Sequence, residues 1–289
     1  MPAAVNQKVT MASAIAQAPT TFARAPHQRA KGEGRVAVVA RDGVTRLADL
    51  YQQGCCKIRL PDRRSDGQEV VLINSSGGMT AEDDLRWHMT AGKSTHLTIS
   101  TQACERVYRC NGDPARLNTT LTVEDGARLD WVPQETIMFD GGRLNRKLTV
   151  DLQDDAEVLI VEPLLFGRMA MDEQMREGSL RDRWDIRRDG RLIHREALDL
   201  EGDVESKLAS AMVAGEARAA ATILFASPKA EALHETVRQH ASSTIGIALF
   251  DDRIVVRCLA RDGYDLRAAI TPVLRTLRDG RDLPKVWNT

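Results

Sequence analysis

The stretch NTTLTVEDGARLDWVPQETIMFDGGRLNRKLTVDLQDDAEVLIVEPLLFGR, residues 118–168, contains two segments that follow the same plan. Each segment begins at an acidic turn, continues through an apolar-rich strand and then reaches a proline. The residues that recur are Asp125, Leu129 and Pro133 in the first segment and Asp155, Leu159 and Pro163 in the second. A repeat of roughly 30 residues built from a strand and a turn predicts stacked β units rather than one hairpin.

A weaker third copy, AGKSTHLTISTQ at residues 91–102, precedes these two and has Leu97 in the leucine position. Polar residues stand at the far end of each unit, namely Thr101, Gln102, Gln134, Glu135 and Glu162. If the units stack, these polar groups also stack and line one path. A plain β-sandwich, in which the same residues are merely strand ends, is the alternative that the repeat leaves open.

The composition excludes several classes of protein. The chain has 289 residues, with 40 basic and 41 acidic residues and a net charge of −1. This balance argues against a nucleic-acid-binding protein, which would carry a basic excess, and no apolar run is long enough to span a membrane. The five cysteines form no CxxC pair, and a chain of this length does not need disulfides, so we expect a reducing compartment, the cytoplasm.

The N-terminal residues differ from the rest of the chain. Residues 1–32 contain no acidic residue and four basic ones, and they are rich in Ala, Pro, Thr and Gln. This composition is typical of a disordered tail, with an acid-poor transit peptide as the alternative. We therefore predict a disordered tail over residues 1–32 and one β-rich domain over residues 33–289.

Within that domain, many short apolar runs between turn signals predict strands, and helical patterns come only near the end. In the segment 227–241, Ser227 is placed as a helix cap and Pro228 at the first helical position. The segment 245–260 is typical of a hairpin, and the segment 264–280 of a second helix. The predicted fold is mainly β, with β-helix-like stacked strands and a small C-terminal α+β portion that has two helices.

Most short motifs in the chain argue against a nucleotide-binding or zinc-binding site. The loop INSSGGMT at residues 73–80 lacks the Lys-Ser/Thr of a phosphate-binding loop, and the histidines have no zinc-binding spacing. Carboxylates beside turns are more suggestive, since oxygen ligands hold divalent ions weakly and suit a protein that passes a metal on. These carboxylates are Asp83, Glu135, Asp140, Glu162 and Glu173.

Paired carboxylates are also the apparatus of glycoside hydrolysis. A β-helical carbohydrate-active enzyme that uses Glu135 and Glu162 is therefore the alternative function. The few aromatic residues, four Trp and three Tyr, disfavour it, because sugar-binding clefts use aromatic rings.

Six ordered motifs lie between about Gly34 and Trp287. They are GCCKIRLP (54–61), INSSGGMTAEDD (73–84), TISTQACERVYR (98–109), LDWVPQETIMFDGGRL (129–144), VEPLLFGRMAMDE (161–173) and LPKVW (283–287). Together they resemble the family of the urease accessory protein UreD, called UreH in some organisms. Several motifs in the same order are far more specific than any one of them.

The resemblance implies a scaffold and not an enzyme. Members of this family join UreF and the GTPase UreG, and the complex delivers nickel to apo-urease. Nickel is then a transient passenger, and no tightly bound cofactor is expected. The family is thought to contain a water-filled internal route for nickel. Its polar lining, carried over by motif, comprises Ser76, Thr80, Asp83, Gln102, Glu135, Asp140 and Glu162.

The chain departs from the family pattern in two places. Ala81 and Glu82 stand where the family loop continues with glycines, and an alanine does not take a positive φ cheaply. The shape of this turn, and with it the place of Asp83 in the lining, therefore depends on how Ala81 is accommodated. Asp172 stands where the family usually has glycine and adds a charge beside Glu173.

Overall fold

The computed structural model describes residues 29–61, 67–168, 171 and 173–288. The strands of these residues form two sheets, a seven-stranded sheet A and a ten-stranded sheet B. The predicted tail lies outside the described residues up to residue 28, and the first strand already includes residues 31 and 32.

In chain order the strands are β1 (Lys31–Arg41), β2 (Val44–Gly54), β3 (Cys56–Arg59), β4 (Gln68–Asn74), β5 (Asp84–Ala91), β6 (His96–Thr101), β7 (Glu105–Val107), β8 (Ala115–Val123), β9 (Arg128–Trp131), β10 (Thr136–Met138), β11 (Arg143–Leu152), β12 (Glu157–Phe166), β13 (Glu177–Arg188), β14 (Arg191–Asp203), β15 (Ala219–Ala226), β16 (Ile245–Phe250) and β17 (Arg253–Ala260). The helices are α1 (Val204–Ala209), α2 (Ala230–Arg238) and α3 (Gly263–Leu277), and a 3-10 turn covers Lys285–Asn288.

From β4 to β13, successive strands alternate between the two sheets, except that the short strands β7 and β10 lie in sheet B with the strands before them. Sheet A has the order β14-β13-β11-β8-β5-β1-β2, and the main path of sheet B is β16-β17-β15-β12-β9-β6-β4-β3. The neighbours β5, β8, β11 and β13 are parallel in sheet A, as are β4, β6, β9 and β12 in sheet B. Each unit of chain therefore stacks on the one before it, which confirms the predicted β-helix-like fold.

The register of the stack differs from the predicted repeat at one step. Leu97 pairs with Leu129 as the sequence match requires, but Leu129 pairs with Val158 and not with Leu159. Leu159 lies beside Asp130 instead. Because successive side chains of a strand point to opposite faces, this shift of one residue turns Leu159 away from the face that Leu129 occupies.

Two apolar clusters follow from these faces. The larger one lies between the sheets and includes Val38, Leu85, Leu121, Leu148, Ile186, Leu72, Leu97, Leu129 and Val158. The second lies between the other face of sheet B and the helices and includes Leu159, Val161, Phe225, Val256, Leu266, Ile270 and Leu277. Sheet B is thus covered on both sides, which explains why β12 reads EVLIVEPLLF, a nearly continuous apolar run.

The helices differ from the prediction in their details. The first predicted helix begins only at Ala230; the Ser227 Oγ accepts the Lys229 N–H at 3.0 Å and forms a turn before the helix. The predicted second helix is α3, which Asp262 caps by accepting the Asp265 N–H at 2.8 Å. A short helix that the sequence did not indicate, α1, begins after Asp203, whose carboxylate accepts the Ser206 N–H at 3.0 Å. None of the described helices is long and apolar enough to cross a membrane.

Candidate functional site

A cavity of about 150 Å3 that opens to the surface lies where β4, β6 and β9 end, and exposed residues such as Gly77 and Gln102 form part of its wall. Parallel strands bring their carboxyl ends to the same edge of a sheet, so polar residues that follow these strands come together here. The polar side chains of its wall include Asn74, Gln102, Glu105, Gln134, Arg146 and Glu162. The cavity therefore gathers polar residues from several units of the stack.

Glu162 reaches this cavity from the inner face of sheet B. Its Oε1 accepts the Trp131 indole N–H at 2.8 Å, and its Oε2 accepts a hydrogen bond from the Arg146 Nη1 at 2.5 Å. The same guanidinium also binds Asp182, with its Nη2 at 2.6 Å and its Nε at 3.1 Å. All three charged side chains are buried, so the arginine provides the charge that two enclosed carboxylates require.

The pKa values reflect this enclosure. Burial raises the pKa of Glu162, and Arg146 acts in the opposite direction. Burial alone would lower the pKa of Arg146, but Asp182 and Glu162 raise it above its usual value. The guanidinium is therefore a permanent positive charge at the wall of the cavity.

Glu105 is a second carboxylate of the cavity, which the sequence analysis did not identify. The Asn74 side-chain amide donates to its two carboxylate oxygens at 3.0 and 3.2 Å. Burial raises the pKa of Glu105 to about 7, even though the hydrogen bond from Asn74 lowers it. Its only signal in the sequence is its position in the motif TISTQACERVYR, three residues after Gln102.

Glu135 lies on the other face of sheet B, apart from Glu162. Its carboxylate forms an ion pair with Arg267 of α3 at 2.7 Å and accepts a hydrogen bond from the Cys104 thiol at 3.2 Å. The next residue, Thr136, faces inward, because its hydroxyl oxygen accepts a hydrogen bond from Arg146 at 3.3 Å. The predicted path therefore keeps Gln102 and Glu162 in one cavity and leaves Glu135 outside it.

This placement also bears on the hydrolase alternative. Glu135 and Glu162 do not face each other across one cleft, and each has its own arginine, Arg267 and Arg146 respectively. The general acid and nucleophile of a glycosidase must flank the same bond. The structure therefore does not bring these two glutamates together as a glycosidase pair.

The carboxylate of Asp83 links the residue before β1 to the turn before β5 through two hydrogen bonds. One of its oxygens accepts the Ala30 N–H at 2.7 Å, and the other accepts the Thr80 N–H at 2.8 Å. The positive φ of this turn falls on Glu82, at 63°, and not on Ala81. Ala81 is buried in the turn instead.

The remaining candidates also lie outside the described wall of the cavity. The Ser76 hydroxyl donates to the Gly78 carbonyl at 2.9 Å, and the Thr80 hydroxyl donates to the Arg109 carbonyl at 3.2 Å. Burial would raise the pKa of Asp140. The backbone N–H groups of Glu177 and Arg176 and the guanidinium of Arg109 nevertheless hold this pKa below its usual value. Asp172 lies outside the described residues.

Most donor groups in the wall of the cavity are carboxylate and amide oxygens, and Cys104 adds one thiol, whose pKa burial raises to about 11. Carboxylate and amide oxygens bind divalent cations without the tight hold of thiolate or imidazole clusters. Within the described residues, no group of three or more His, Cys, Asp or Glu side chains is placed to hold a metal ion.

Comparison with known proteins gives a consistent result. The family model described as UreD urease accessory protein matches residues 30–288. Relatives with the name urease accessory protein UreD include one from Agrobacterium fabrum, 46% identical over 261 residues, which are 90% of this chain and 92% of the relative. Another, from Rhizobium rhizogenes, is 47% identical over 262 residues, 90% of this chain and 96% of the relative. A third, from Rhizobium leguminosarum bv. viciae, is 45% identical over 270 residues, 93% of this chain and 99% of the relative. With a match over nearly the whole described chain, the protein belongs to the UreD family of urease accessory proteins.

Proposed function

We propose that this protein is a scaffold in urease maturation that joins UreF and the GTPase UreG in the cytoplasm and helps deliver nickel to apo-urease. Nickel is the cargo of this process and not a resident cofactor, and the chain has no turnover of its own. Membership of the UreD family supports the role in urease maturation.

The observation that supports the nickel part of the proposal is the pair of carboxylates, Glu105 and Glu162, in the wall of this cavity. The core between the sheets is built from aliphatic and aromatic side chains, and burying charge in such a place is costly unless the charge has partners. Glu162 and Glu105 nevertheless face the cavity. Their presence has a use if water and a divalent cation pass through this space, since carboxylates attract the cation and few ligands let it leave.

The test replaces Glu162 with glutamine, which keeps the size and removes the charge. We expect Glu162→Gln to assemble with UreF and UreG but to lower urease activation in cells at limiting nickel. The matched control is Glu135→Gln, which changes a glutamate of equal burial that pairs with an arginine but lies outside the cavity. We expect this control to activate urease as the unchanged protein does.

Two outcomes contradict the proposed route. Full activation by Glu162→Gln, with the complex intact, removes this carboxylate from the path. Loss of assembly in the same variant makes Glu162 a structural residue. Glu105→Gln provides an independent second test, because its side chain lines the same cavity from a different strand.

The partner assignment is tested separately. A pull-down with the chain as bait, read by mass spectrometry in the presence of UreF and apo-urease, is expected to recover both. A purified protein that ignores UreF and cleaves a polysaccharide would overturn the scaffold assignment altogether.

A further inference from the structure

We infer that Arg146 is a plug that separates two cavities between the sheets, and that a cation crosses the protein only when the guanidinium leaves its place. This inference rests on the proposed function, in which the interior carries nickel. It adds a residue that neither the family match nor the sequence motifs single out.

The two cavities share one side chain. The first is the cavity of about 150 Å3 described above, whose wall includes Arg146 and Glu162. The second has about 380 Å3 and lies between β13 and β14 on one side and β15 and β17 on the other. Its wall includes Glu162 and Asp182. Glu162 thus borders both cavities, with Arg146 on the first side and Asp182 on the second.

The guanidinium bridges the gap between the sheets at this point. Arg146 and Asp182 are neighbours in sheet A, where β11 pairs with β13, and Glu162 belongs to sheet B. The Nη1 lies 2.5 Å from the Glu162 Oε2, and the Nη2 lies 2.6 Å from the Asp182 Oδ2. The planar fork of an arginine holds both carboxylates in fixed positions.

This arrangement closes the passage in two ways. The side chain fills the space that an ion would need between Glu162 and Asp182, and its positive charge repels an approaching cation at short range. It also occupies the carboxylate oxygens that a divalent ion would bind. Conversely, a divalent ion can replace the guanidinium as the partner of these two carboxylates, so the closure is reversible.

The experiment removes the plug and measures the binding of Ni2+ alone. Tag-free protein is titrated with Ni2+ by calorimetry as the unchanged chain, as Arg146→Gln and as Arg146→Gln with Glu162→Gln. Because ligand charge sets the affinity of oxygen sites over orders of magnitude, we expect Arg146→Gln to gain a Ni2+ site at least about tenfold tighter than any site of the unchanged chain. The double variant is expected to lose this site.

A matched control separates this effect from general loosening of the interior. Arg188 is also an arginine with a mostly buried side chain that pairs with a carboxylate, Asp252, but it borders neither cavity. We expect Arg188→Gln to gain no Ni2+ site, even where it lowers stability.

Three results overturn the inference. They are a folded Arg146→Gln that binds Ni2+ no better than the unchanged chain, an equal gain in Arg188→Gln, or an unchanged chain that already has a Ni2+ site which Glu162→Gln removes. If Arg146→Gln does not fold, Arg146→Met replaces it, because the unbranched methionine side chain fills irregular space and carries no charge. A folded Arg146→Met with no gain in Ni2+ binding is then the refuting result.

Failure of this inference is distinguishable from failure of the proposed function. The titration needs neither UreF nor urease and reports only on Arg146 and its carboxylates. The proposed function is judged by urease activation in cells with Glu162→Gln. If Arg146→Gln gains Ni2+ binding and Glu162→Gln still activates urease fully, Arg146 does block a cation site between the cavities. The proposed nickel route past Glu162 is then refuted.

Discussion

Asp130 is the residue whose replacement tests the electrostatics of the interior most directly. Its carboxylate is fully buried and accepts hydrogen bonds from the Arg128 Nε at 3.0 Å, from the His96 Nε2 at 3.0 Å and from the Arg278 Nη1. The Arg281 Nη1 donates to the His96 Nδ1 at 3.0 Å, which leaves the Nε2 of that ring to carry the proton. Since Arg278 directly follows α3, this cluster fastens the end of the helix to sheet B.

Asp130→Asn keeps the shape of the side chain and leaves two buried guanidinium groups without their shared anion. Removal of one partner from a buried ionic cluster costs about 3–5 kcal/mol. The matched control is Asp199→Asn, which changes a carboxylate that also pairs with two arginines, Arg181 and Arg183, but in a more than half-exposed position. An exposed pair of this kind contributes far less, because water and salt screen the two charges.

The assay is urea unfolding followed by circular dichroism, from which the free energy of unfolding is obtained for each variant. Burial would raise the pKa of Asp130, but Arg128, His96 and Arg278 hold it well below its usual range. A lowered pKa stabilises the fold above the unfolded value of about 3.9, and this contribution is lost as the pH falls below that value. The difference in free energy of unfolding between the unchanged chain and Asp130→Asn should therefore become smaller in acid. Equal losses for Asp130→Asn and Asp199→Asn at neutral pH would refute the reasoning.

Three further predictions follow from individual residues. Glu82→Val should destabilise the protein by about 1–2 kcal/mol, because a β-branched residue tolerates a left-handed backbone poorly, whereas Glu82→Gly should cost little in the same thermal or urea unfolding assay. Gly34→Ala should cost about 1–3 kcal/mol in the free energy of unfolding through overpacking, since a Cβ there would lie 2.2 Å from the Trp87 ring. The control Gly246→Ala meets no atom within 4 Å and should be neutral or slightly stabilising. Because burial raises the pKa of Glu105 from 4.5 to about 7, its protonated form is favoured in the folded state, so stability should fall as the pH rises through this interval. In Glu105→Gln, the free energy of unfolding should no longer fall over this pH interval because of residue 105. The same pH dependence in Glu105→Gln as in the unchanged chain would contradict this prediction.

The sequence predicted the stacked strands and the late helices because these depend on local patterns. The apolar run of β12, the acidic turns before β9 and β12 and the apolar spacing of α3 each appear within a few residues of the chain. Such patterns are set by the period of side chains along a strand or a helix, which the sequence displays directly. The predicted pairing of Leu97 with Leu129 is found in the structure for the same reason.

The faces of the strands were decided by the tertiary structure. A repeat match cannot detect a shift of one residue in register, yet this shift sends Leu159 to the helical side of sheet B. In the same way, Glu135 and Glu162 looked equivalent beside their prolines, but only Glu162 points between the sheets.

The ion-pair partners of the buried charged residues could not be predicted from the sequence. Arg146 and Asp182 lie far apart in the chain and meet because β11 and β13 are neighbours in sheet A. Arg267 reaches Glu135 only after α3 packs on sheet B. Local pattern thus determined the strands, the turns and the family motifs of this protein. The cavity, its arginine and the separation of its carboxylates were decided by the packing of two sheets, because contacts between distant residues are fixed by the register and the layers of the fold and not by spacing along the chain.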